Sequence, residues 1–149
     1  YPGAQAAVKK VAEKHEVAYS TARACAHNQK THDAIVQATT QWLTEKAFVN
    51  PGSCFFCYSI SDKLLLLAQH TSKTGDHCVL VDDNYRRLLD VYKTLDADIQ
   101  AILRLSFSLV AFRAKELPDD CQGLHILPLT RWSLFDQVLD VLDRVAAVN

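Results

Sequence analysis

The chain has 149 residues, of which 49% are hydrophobic and 22% charged, and it carries a formal net charge of −1. That length suits one domain with a single sizeable core, and that mix excludes a disordered chain. Near-neutral charge, with six Lys/Arg against four Asp/Glu in the first fifty residues, gives no sign of the clustered basic face of a nucleic-acid binder, so a nucleic-acid partner is possible but unsupported by charge.

Gly3 to Tyr19 sets Val8, Val11, Ala12, His15 and Tyr19 at helical spacing, so a first helix is expected there. A second helix is predicted over Thr21 to Asn28. A third is expected from a Thr31 N-cap to about Phe48, with Ile35, Trp42 and Leu43 facing a core. Asn50-Pro51-Gly52-Ser53 then breaks the chain.

Beyond the break, the aromatic run Cys54 to Ile60 reads as a short buried strand. Ser61 is expected to cap a helix with Asp62 in its first turn. "HCVLV", His77 to Val81, has the strongest strand pattern, ended by Asp82-Asp83-Asn84. "YRRLLDVYKTL" reads as a helix with Leu88, Leu89, Tyr92 and Leu95 inward, and Asp96 as the cap of a long apolar helix reaching about Ala114. After a loop at Pro118-Asp119-Asp120 and Gly123, Leu124 to Leu129 forms a third strand, which Pro128 restricts to a strand end or a sheet edge. The last helix carries one stripe, Trp132, Phe135, Val138, Leu139, Leu142 and Val145, with Asp136, Asp140 and Asp143 off it.

Apolar strands separated by helices predict a helix-dominated α/β fold, with a small, about three-stranded, mainly parallel sheet covered by helices. The alternative is an all-α bundle in which the short strands are loops. Residues 1–149 are expected to form a single domain, helical over 1–50 and α/β over 51–149.

Residues 50 to 78 hold three of the five cysteines and two of the six histidines. Cys54 and Cys57 have the spacing of a zinc pair, structural or deaminase-like, or of a redox pair. The zinc-deaminase pattern joins Pro-Cys-x-x-Cys to an upstream His-x-Glu. Here Pro51 comes too early, and none of His15, His27 and His32 has a Glu two residues on. A thioredoxin-like pair needs a strand before the motif, where this chain has Asn-Pro-Gly-Ser. On a strand, residues three apart point to opposite faces, so these thiols read as core, with zinc as the competing reading.

In a parallel sheet, ligands gather past the carboxyl ends of the strands. Ser61 and Asp62, then Asp82, Asp83 and Asn84, then Thr130 and Arg131 are expected there. Asp62, Asp82 and Asp83 are candidate oxygen ligands for Mg²⁺ or Mn²⁺, which would activate water for phosphodiester cleavage. With an Asp opening the helix in "SDKLLLLAQ" and acids after the strand in "HCVLVDDN", residues 60 to 95 or so resemble the second half of PIN-type nuclease domains. The resemblance implies a divalent-metal hydrolase. That family also has an opening strand ending in Asp, which this chain lacks. Helix capping by Ser61 and Asp83 accounts for the same residues without a metal.

His15 reads as a core residue on its helix, and His27 and His32 as solvated groups at a helix junction. His77 and His125 begin strands and are expected to share one edge of the sheet. Glycines at 3, 52, 75 and 123 build no phosphate loop, and no nucleophile elbow is present. No catalytic set is therefore identified, and no cofactor is expected.

The function expected is a non-catalytic protein-interaction or assembly domain, or a subunit of something larger, meeting a protein partner or its own copy through surplus apolar surface. The longest apolar stretch, Ile99 to Phe112, is too short to cross a bilayer and contains Arg104. No leader pattern opens the chain, and five cysteines without scaffold spacing favour a reducing intracellular compartment. Lacking Met, the chain reads as processed or as a segment of a longer one.

Overall fold

The computed structural model describes residues 1–22 and 28–146. The chain is helix-dominated α/β with two small parallel sheets. Its contacts gather into two compact units, Tyr1–Lys63 and Leu64–Asn149. The division falls inside a helix rather than at the Asn50-Pro51 break.

The first unit contains α1 (Ala4–Val11), β1 (Tyr19–Thr21), α2 (Gln29–Glu45), β2 (Cys54–Phe56) and the start of α3 (Ile60–Thr74). Its first fifty residues are thus not wholly helical: β1 pairs in parallel with β2, Tyr19 opposite Cys54. α1 stops at Val11, short of His15, and the predicted helix over Thr21 to Asn28 falls on β1 at its start and then largely outside the described residues, as do Cys25 and His27. Asn28, not Thr31, caps α2, its side chain accepting from the Thr31 N–H at 3.1 Å. The cap of α3 is likewise Ser59 rather than Ser61, its Oγ accepting from the Asp62 N–H at 3.0 Å. In both cases the side chain two or three residues before the expected start reaches the orphan N–H of the first turn.

The rest of α3 opens the second unit, followed by β3 (Cys78–Asp82), α4 (Tyr85–Tyr92), α5 (Ala97–Ser106), β4 (Phe107–Phe112), β5 (His125–Leu129), a 3-10 turn at Trp132–Leu134 and α6 (Phe135–Ala146). The sheet order is β3-β4-β5, all parallel. The long helix expected from Asp96 to Ala114 is instead α5 followed directly by β4. Every residue of "FSLVAF" is buried, as suits a central parallel strand covered on both faces. Such a run has no period to separate it from a buried helix; its aromatic and β-branched content decides for the strand.

β5 is an edge strand, as Pro128 requires, since Pro has no N–H for a second ladder. α4 and α5 pack against β4, and α6 against β5. Tyr92, Leu88, Leu103, Phe107, Leu109 and Leu129 form the centre of this core, each at most 2% exposed. Phe135 and Val138 of the final stripe are buried too, while the side chains of Leu142 and Val145 lie outside the described residues. Among the described residues no helix is long and apolar enough to cross a membrane.

Candidate functional site

Two arrangements exceed what folding alone requires. The first lies across the three-stranded sheet. The register sets Val79 opposite Ser108 and Ser108 opposite His125. His77, two residues before Val79, therefore shares a face with Ser108 and His125 at the amino end of the sheet. Ser108 Oγ lies 2.8 Å from His77 Nε2 and 2.7 Å from His125 Nδ1. The serine is fully buried, and both imidazoles are half-buried.

A hydroxyl has one proton to donate, so in the neutral chain it donates to one ring and accepts from the other. Burial, and then the nearby His125, lower the pKa of His77. His77 and His125 do not share one edge of the sheet as expected: they stand at its two opposite edge strands and share its amino end, where Ser108 of the central strand joins them. Ser108 went unnoticed because it sits in the segment read as helix. A serine inside an otherwise apolar strand was the signal available, because a buried hydroxyl needs partners.

The second arrangement is a set of aromatic contacts in the first unit, on the face of the β1-β2 sheet that carries Tyr19 and Phe56 and not on that of Phe55. Trp42, on α2, stacks on Phe48 with ring centroids 5.6 Å apart, and Phe48 meets Tyr19 edge-on at 6.0 Å. The Tyr19 hydroxyl donates to the Val49 carbonyl at 2.5 Å, which ties β1 to the chain leaving α2. His32 lies between Phe56 and Tyr58, 6.2 Å from each ring, and its buried Nδ1 has no hydrogen-bond partner. Trp42 remains 50% exposed, Phe55 44% and Tyr58 58%.

Cys54 begins β2 and Cys57 follows its end, donating its backbone N–H to the Thr21 carbonyl at 2.8 Å. Cys57 is buried, with Sγ 3.8 Å from Ser20 Oγ, while Cys54 is half-buried. Burial, and then the neighbouring Cys57, push the Cys54 thiol up. The strand itself is shorter than expected, because the chain turns after Cys57 to enter α3.

Asp62 lies in the first turn of α3, in the first unit. Asp82 closes β3 and Asp83 follows it, in the second. Asp82 Oδ1 accepts from the Asn84 N–H at 2.8 Å, a turn bond that orders the approach to α4. Asp83 does not cap that helix; Asn84 holds the N-cap position. Thr130 and Arg131 follow β5, at the same carboxyl end of the sheet as Asp82. Among the described residues no three His, Cys, Asp or Glu side chains are grouped to hold a metal ion.

No protein-family model, no curated protein and no solved structure matches this chain.

Proposed function

We propose that the chain is a non-catalytic protein-interaction or assembly domain, and that its first unit docks a protein partner through Trp42 and Tyr58. One observation carries the reading. Among the described residues of that unit, Ala4, Leu43 and Cys57 are the buried apolar side chains, whereas four large aromatics, Tyr1, Trp42, Phe55 and Tyr58, stand 44–66% exposed. A unit of this size with so thin a core is marginal alone. Exposed Trp and Tyr side chains are the residue types that supply most energy when an interface closes over them. A reducing compartment, in which the thiols remain free, belongs to the same reading.

Binding of an apolar reporter dye to the intact chain tests it. The expected result is saturable binding that falls at least fivefold in a Trp42→Ser, Tyr58→Ser variant with unchanged far-UV circular dichroism. A chain that binds no dye, or whose binding ignores the double substitution, overturns the assignment of this surface.

A further inference from the structure

The His77–Ser108–His125 chain ties all three strands of the second unit together at one end, and its proton content is limited by its geometry. In the neutral state Ser108 donates to one ring nitrogen and accepts from the other, across 2.8 Å and 2.7 Å. One added proton is accommodated with both bonds kept: the charged ring donates to Oγ, and the hydroxyl donates to the ring that stays neutral. A second proton makes both rings donors. The hydroxyl hydrogen then faces no acceptor in the chain, inside a site where Ser108 is fully buried, and two cations face each other across one oxygen. We propose that this chain is an acid-sensitive latch: it holds the amino ends of β3, β4 and β5 together while it carries no more than one proton, and it opens when the second binds.

The surroundings leave that behaviour to the chain itself. β4, from Phe107 to Phe112, contributes no titratable group. Asp76, which directly precedes His77, is exposed and lies 3.6 Å from the Nε2 of His70, a further imidazole beside this end of the sheet. Arg86, Arg87 and Asp90 of α4 are exposed, as are Asp98 and Arg104 of α5. On α6, Asp136, Asp140, Asp143 and Arg144 are exposed as well. Burial, and then His125, are what lower the pKa of His77.

The sign follows. Once the chain opens, His77 takes up a proton near the ordinary imidazole value of 6.5, and in the closed form burial and His125 hold it below that value. The latch is therefore fully formed above that value and is lost as the pH falls below it. Where the open form holds one proton more than the closed, the open population rises about tenfold per unit fall in pH.

Hydrogen exchange of the full chain between pH 7.5 and 4.5, with imidazole resonances followed in the same samples, tests this. The expected result is a stepwise, mutually dependent titration of His77 and His125. Protection at Val79, Leu80, Ile126 and Leu127 should fall about tenfold per pH unit, beyond the intrinsic pH dependence, over the lower step. In His77→Gln, which keeps a hydrogen-bonding amide but cannot titrate, that extra slope should vanish. Ser108→Ala, close in volume, should let the rings titrate independently. Two rings that titrate independently in the natural chain, or a slope retained in His77→Gln, overturn the proposal. Should Ser108→Ala fail to fold, His77→Gln decides alone.

Discussion

Trp42 lies stacked on Phe48, ring planes 27° apart, with half of its own surface open to solvent. One face of the indole is thus used in folding and the other is not. Trp42→Ala is expected to lower stability by only about 1 kcal/mol, the scale of one aromatic pair, while removing one of the two side chains assigned to the partner. Denaturant unfolding gives the first effect and dye titration the second. A loss of several kcal/mol would mean that the indole belongs to the core.

Leu105 and Leu109 stand four residues apart, but on opposite sides of the boundary between α5 and β4. Leu109 is 1% exposed and Leu105 is 74% exposed. Leu109→Ala should cost about 2–5 kcal/mol through the cavity it leaves, and Leu105→Ala within about 0.5 kcal/mol of nothing. Chemical denaturation of the two variants checks the contrast. One continuous helix would place these residues on one face and give similar costs.

That pair also marks where sequence reasoning reached its limit. The edge position of β5 was legible because Pro128 removes an N–H wherever it stands. That His77 and His125 stand at strand starts was legible, but not the central strand between them, which puts them at opposite edges of one amino end. β4 was not, since a strand buried on both faces loses the alternation that identifies strands, and Ser108 was lost with it. Ser59 and Asn28 were passed over for a related reason: a cap is fixed by which N–H its side chain reaches, and several polar residues stand near each helix start. The exposure of Trp42, read as a core position from helical spacing, depends on the α2 stripe being wider than the small unit can cover.

Gly123 has φ of +77°, and a Cβ placed on it would stand 3.0 Å from Cδ of Arg104. Gly123→Ala should therefore destabilise the second unit by about 1–2 kcal/mol, from the left-handed backbone, and should displace the Arg104 side chain. A thermal melt of the variant measures the loss. Gly123→Asn should fall between the two, because Asn tolerates this region better than Ala does.

Alkaline pH offers a separate test of burial. Burial first, and Cys57 and Asp76 next, raise the thiols of Cys54 and Cys78 above 9.0, and Tyr19 and Tyr92 are raised above 10.0 chiefly by burial. The unfolded chain gives up these protons first. Their contribution to stability is complete below about pH 9 and is lost as the pH rises through the raised values. Denaturation midpoints across pH 8–11 should fall steadily, with tyrosinate absorbance lagging behind that of the unfolded chain. Coincident absorbance titrations in native and denatured buffer would show these groups to be solvated.

The central claim is that the aromatic surface of the first unit receives a protein. Site-specific photo-crosslinking tests it most directly, with a photoreactive phenylalanine placed in turn at positions 42, 55, 58 and 105 of the full chain in its native host. Positions 42 and 58 should join the same protein, with crosslinked peptides mapping to one contiguous surface of it, and the exposed positions 55 and 105 should not. Equal crosslinking at all four positions, or none at 42 and 58, shows that this surface receives no protein.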